Sequence, residues 1–133
     1  MGPSAPFFNF IVMWRIKNKI RQIRNLIRWA PIIWNDRDWD YYFIYEILKH
    51  KLTFTEKFIR EKGVHMFNTE DADSILKAID LINKVQTEYH LDKYLSEATE
   101  WTSEGIDKAV EDHDKVKQEL FQHLNDNIEK WWD

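Results

Sequence analysis

The stretch Arg15-Ile-Lys-Asn-Lys-Ile-Arg-Gln-Ile-Arg-Asn-Leu-Ile-Arg28 decides the fold class. Ile16, Ile20, Ile23 and Ile27 recur at intervals of four, three and four, which is the spacing of one face of an α-helix. Lys17, Arg21, Arg24 and Arg28 repeat that spacing one residue later, about 100° further round the same helix. A basic stripe therefore borders an apolar one. The segment is read as a helix from about Phe7 to Trp29, and Pro31 is expected to end it, because the residue before a proline avoids the α region.

Working outward, the next segment opens at Trp34-Asn-Asp-Arg-Asp-Trp-Asp40. Asn35 or Asp36 is a suitable N-cap, and Asp38 suits the positive end of the helix dipole. The helix should run through Tyr41–Leu48 to about Lys62, with Gly63 as the residue that closes it. Its apolar stripe is Tyr41, Ile44, Leu48 and Leu52, widened by Trp39, Phe43 and Ile47. The β-branched and aromatic run from Tyr41 to Tyr45 also fits a strand, but the caps and the helical continuation favour the helix. A third helix starts near Asn68 or Thr69, with Ala72, Ile75, Ile79, Ile82 and Tyr89 inward and Leu76 beside them. A break follows at about 89–95, and a short helix is expected over 92–99. The last helix begins after Thr102-Ser103, with Ser103 as a candidate cap. Ile106, Val110, His113, Val116, Leu120, His123, Leu124 and Ile128 follow helical spacing towards Trp131 and Trp132.

These segments predict an all-α fold, a small helical bundle of about four helices in one domain over 1–133. Residues 1–30 form a basic amphipathic N-terminal helix. The cluster of Phe7, Phe8, Phe10, Val12 and Trp14 exceeds what one small bundle covers. It points to a homo-oligomer in which this arm packs on another subunit.

Composition narrows the chemistry. The chain has 133 residues, no cysteine and three glycines, which excludes disulfides, thiolate catalysis, Cys-based zinc sites and glycine-rich phosphate loops. The net charge of −4 is divided unevenly. Residues 1–35 carry six bases and no acid, whereas residues 36–133 carry 13 bases and 23 acids. Such asymmetry implies contact between the halves or an anionic partner for the first. No apolar run is long enough to span a membrane, and no signal peptide is expected, since the positive charges follow the apolar run.

No catalytic constellation emerges. Asp36, Asp38 and Asp40 resemble the start of a calcium loop, but Tyr41 and Ile47 stand where it needs glycine and glutamate. Glu119 and His123 lie at i and i+4, a spacing that suits a metal but more often a structural pair. No metal, no cofactor and no catalytic residue is expected, and the chain is read as a non-enzyme.

The aromatic density is more telling. Trp29, Trp34, Trp39, Tyr41, Tyr42, Phe43 and Tyr45 lie in one short window that follows the basic stripe and surrounds Arg37. Rings stack bases and arginine forks pair with phosphate oxygens. The candidate ligand-binding set is Arg24, Arg28, Trp34, Arg37, Trp39, Tyr42, Tyr45, Lys49 and Lys51. For any one of these residues, a core or interhelical contact is the plainer reading. The first segment also fits a membrane-surface helix or a nucleic-acid backbone clamp; against both, the acidic remainder would repel anionic surfaces and leave a narrow contact, and nucleic acid is not expected as a partner.

The stretch Leu26–Leu52, with its W-x-D-R-D-W-D core, resembles a family of small phage-encoded helical proteins. The closing Ile128-Glu-Lys-Trp-Trp-Asp133 is similar to that family's W-W-D ending. The resemblance extends to phage anti-defence (anti-CBASS) sponges, small helical oligomers that bind cyclic dinucleotides in the host cytoplasm and silence antiphage signalling. It implies capture of a small anionic nucleotide without turnover, at sites shared between subunits. It assigns no residue a role. The alternative expectation is a phage interaction protein that inhibits or recruits a host factor, or a membrane-peripheral or nucleic-acid accessory protein.

Overall fold

The computed structural model describes residues 5–63, 67–87, 90, 94 and 102–132. Among them are four helices, α1 (Ala5–Trp34), α2 (Tyr41–Lys62), α3 (Asn68–Gln86) and α4 (Ser103–Asn127), then a 3-10 turn over Lys130–Trp132. The fold is all-α, as the hydrophobic spacing requires. The chain divides into two compact units, Met1–Phe43 and Ile44–Asp133. The predicted Tyr89 contact and the short helix over 92–99 lie outside the described residues.

The first unit is built on α1, a helix of 30 residues, about 45 Å long. Pro6 sits in its first turn, where a missing N–H costs nothing. The expectation that Pro31 ends the helix is corrected, for α1 runs through Pro31 to Trp34. Only one helical bond, to the Ile27 carbonyl, is forgone there, and only three helical residues follow. Asn35 then closes the helix by donating from Nδ2 to the Pro31 carbonyl at 3.2 Å.

The cap of α2 is also corrected. Asn35 and Asp36 belong to the end of α1, where the Asp36 N–H bonds the Ile33 carbonyl at 3.1 Å. A turn follows, closed by the Asp40 N–H on the Arg37 carbonyl at 3.1 Å. Asp40 is the residue that caps α2, its Oδ1 accepting from the Tyr42 N–H at 3.0 Å. The stretch holds four capping-type residues, Asn35, Asp36, Asp38 and Asp40, and only the last stands at the start of α2.

The second unit holds the hydrophobic core. Ile75, Ile82 and Leu120 are its largest fully buried side chains, joined by Leu52 and Ile59 from α2 and Trp131 from the 3-10 turn. α3 and α4 form the closest helix pair. Ala72 and Ala78 on α3 and Gly105 and Ala109 on α4 are buried, and their small size lets two backbones approach. This displaces the expected α4 face: burial follows Gly105, Ala109, Leu120 and Leu124, while Ile106 and Val110 are exposed. In α2 the expected stripe is shifted likewise. Tyr41 and Ile44 are exposed, and the inward line is Tyr45, Leu48, Leu52 and Ile59.

Polar ties hold α2 in register. Arg60 reaches Glu56 Oε1 at 2.5 Å and Asp73 Oδ1 at 2.9 Å, a fork that joins α2 to α3. These two hydrogen bonds, Glu56 foremost, raise the guanidinium above its ordinary range. Gly63 has φ +55°, and its N–H bonds the Ile59 carbonyl at 3.1 Å, the left-handed stop expected there. α3 starts after Phe67 with no side-chain cap, so neither Asn68 nor Thr69 acts as one. Thr102, not Ser103, caps α4 by accepting from the Gly105 N–H at 3.1 Å.

Candidate functional site

The candidate residues fall on both units. Arg24, Arg28, Trp34, Arg37, Trp39 and Tyr42 belong to residues 1–43, and Tyr45, Lys49 and Lys51 to residues 44–133. Each unit is therefore taken by itself.

In the first unit, the turn closed by Asp40 and Arg37 follows directly on the last residue of α1. Trp34 ends the helix and Trp39 lies inside the turn, and their side chains are 87% and 82% exposed. They are the two most exposed large apolar side chains among the described residues. Arg37 stands between them in sequence and is exposed. Tyr42, in the first turn of α2, packs edge-on against Phe43 with ring centroids 5.7 Å apart and remains 43% exposed. Arg24 is exposed on α1 and Arg28 is half-buried. Neither Arg24 nor Arg37 has an acidic partner among the described residues. Local structure thus delivers two uncovered indole rings and a cation within six residues. Both indoles lack the burial that tryptophan usually finds.

The three candidates of the second unit are placed differently. Tyr45 is half-buried against the core, its ring 6.5 Å from that of Phe121. Lys49 is engaged inside the bundle: its ammonium lies 2.6 Å from Glu46 Oε1 and donates to Asn83 Oδ1 at 3.3 Å and Gln86 Oε1 at 3.0 Å. Two hydrogen bonds to α3 and an ion pair with Glu46 make Lys49 a tie between α2 and α3. Lys51 is exposed on the same helix. Replacing Lys49 with methionine is expected to cost about 1–3 kcal/mol by stranding the Glu46 carboxylate. Denaturant unfolding measures it, and a variant as stable as the parent removes the assigned tie.

One polar cluster escaped the sequence reading. His90 is buried at 4% exposure. Its Nδ1 lies 2.6 Å from Asp112 Oδ2 and its Nε2 3.0 Å from the Lys84 carbonyl oxygen. The His113 ring meets it edge-on at 5.2 Å, and His113 Nε2 lies 3.3 Å from the Val85 carbonyl oxygen. These rings border a cavity of about 280 Å³ whose wall includes Val85, Ala109 and Val110. Both nitrogens of His90 are occupied by acceptors that belong to α3 and α4, so the cluster clamps those helices together. No periodicity in the sequence marks His90, and nothing there pairs it with an aspartate 22 residues on.

His123, read as part of the apolar α4 face, is a second such tie. It donates from Nε2 to the Ser74 carbonyl at 2.8 Å, while Nδ1 lies 3.3 Å from Asn127 Nδ2. Glu119 pairs with Lys77 at 3.5 Å. Among the described residues no group of three or more histidine, aspartate or glutamate side chains is arranged to hold a metal. No helix among them is long and apolar enough to cross a membrane. No protein family, no curated protein and no solved structure matches the chain.

Proposed function

We propose that the chain is a non-catalytic binding protein that captures a compact anionic nucleotide, of the cyclic-dinucleotide class, and withdraws it from signalling. On this reading it is a phage anti-defence protein at work in the host cytoplasm. The observation that supports it is the pair of open indoles, Trp34 and Trp39, on either side of Arg37 in the turn between α1 and α2. A cyclic dinucleotide presents two flat bases and two phosphates on one small ring. Two stacking surfaces and arginine forks are the matching donors. Trp34 and Trp39 supply the rings, and Arg37 and Arg24 the cations, with Arg28 and Tyr42 beside them. Lys49 is left out of the set because its donors are engaged in the bundle.

The reading predicts heat and a raised melting temperature when the protein is titrated with cyclic di- and trinucleotides. Ligand recovered unchanged after incubation marks capture without turnover. Silence across the whole panel at high micromolar ligand ends the proposal.

A second reading takes α1 itself as the working surface, for a different reason. Twelve of its large apolar side chains are more than half exposed. A patch of that extent marks an interaction site in a folded protein. Under this reading nucleotide titrations stay silent and the interaction disappears when residues 1–28 are deleted.

A further inference from the structure

The uncovered surface of α1 has a pattern that identifies its occupant. From Phe7 to Trp14 the helix is apolar on every side, with Asn9 as its one polar side chain. Phe7, Phe8, Phe10, Met13 and Trp14 are all more than half exposed. A second helix laid against this tip covers one face and leaves the others wet. An apolar medium that surrounds the tip covers every side at once.

From Ile16 onward the helix becomes two-sided. Ile16, Ile20, Ile23 and Ile27 share one face, and each is more than half exposed. At about 100° per residue, Lys17 and Arg24 border this face on one edge, and Arg15 and Lys19 border it on the other. Asn18, Arg21, Gln22 and Asn25 lie opposite. No acid occurs anywhere on α1. Cations along both borders of an apolar sector, with long aliphatic stems, lie where phosphate groups meet acyl chains at a bilayer surface. The same uniform charge opposes pairing between the α1 helices of two copies, because it brings twelve cations together with no carboxylate between them.

We propose that α1 docks in the plane of an anionic lipid surface, its Phe7–Trp14 tip immersed among the acyl chains and its flanking lysines and arginines on the lipid phosphates. The inference goes beyond nucleotide capture and stands on the apolar tip and face of α1, sharing only Arg24 with it. The helix lies on the membrane and does not span it, for it is too polar beyond Trp14 to cross.

The test is co-sedimentation of the full chain with vesicles of phosphatidylcholine alone and of phosphatidylcholine mixed with phosphatidylglycerol, over a series of salt concentrations. Binding to the anionic vesicles is expected to be about tenfold or more tighter and to weaken as salt rises. Ile20→Asp with Ile23→Asp should abolish it. Lys17→Glu with Lys19→Glu should erase the preference for anionic lipid. No α1 residue belongs to the hydrophobic core, so the melting transition of both variants should match the parent, which separates lost docking from lost folding. Equal binding to neutral and anionic vesicles overturns the proposal. So does failure to bind either vesicle, whether the chain then sediments as a monomer or as an oligomer that the Ile20→Asp/Ile23→Asp variant disperses. In that last result a second copy covers the face. Trp34, Arg37 and Trp39 are untouched in these variants, so nucleotide titration succeeds or fails independently.

Discussion

Replacing Trp131 with alanine is expected to lower the stability of the protein by about 3–5 kcal/mol. Trp131 lies in the 3-10 turn after α4 and is 2% exposed. It joins the same core cluster as Ile75, Ile82 and Leu120. Its indole N–H donates to Ser74 Oγ at 3.2 Å, and its ring lies 6.2 Å from that of His123. Ser74 is the common point: its carbonyl accepts from His123 Nε2 at 2.8 Å and its hydroxyl accepts from Trp131. Truncation therefore opens a cavity as large as an indole and removes one of the bonds at that point. Among the described residues the core draws on three helices and one turn, which leaves little to collapse into the space. Thermal unfolding followed by circular dichroism measures the effect, and a fall in melting temperature of about 12 °C or more is expected for a unit of this size. Trp131→Phe refills most of the volume and loses only the hydrogen bond, so it should recover most of the loss. A Trp131→Ala variant that melts with the parent shows that the turn is not part of the core.

The double variant Trp34→Ala/Trp39→Ala is expected to lose nucleotide binding by about 2–6 kcal/mol, at 1–3 kcal/mol for each stacked base. That is a weakening between about thirtyfold and more than a thousandfold. Because both rings are open to solvent, their removal leaves the core intact, and the melting temperature should stay within a degree or two of the parent. The combination of lost binding and retained folding is the signature of a ligand platform. A double variant that binds as tightly as the parent places the ligand elsewhere. Arg37→Lys tests the cation separately: it keeps the charge but loses the planar fork, so a fall in affinity points to paired contact with phosphate.

The stability prediction was partly legible in the sequence and the binding prediction differently so. Trp131 stood at the end of a helical pattern, yet nothing there announced its burial. The exposed indoles of Trp34 and Trp39 carry the same residue type with the opposite burial. Side-chain chemistry is equal in the two cases, and the difference is whether a neighbouring element arrives to cover the ring. Lys49 makes the same point among the cations. It looked like Lys51 two residues on, but it sits on the side of α2 that meets Asn83 and Gln86 of α3.

Periodicity and punctuation along the chain were enough to determine four helices, the basic apolar pattern of α1, the stop at Gly63 and the uneven charge. These are local properties, because helical spacing, a left-handed glycine and the sign of a side chain depend on near neighbours alone. Only the packed structure decided that Pro31 stays inside α1, that Asp40 and not Asn35 or Asp36 caps α2, and that Gly105 and Ala109 lie inward while Ile106 and Val110 are exposed. It alone brought His90 to Asp112 and His123 to Ser74. Burial and pairing across dozens of residues depend on which surfaces can approach closely, and a small side chain permits an approach that a larger, more hydrophobic one prevents.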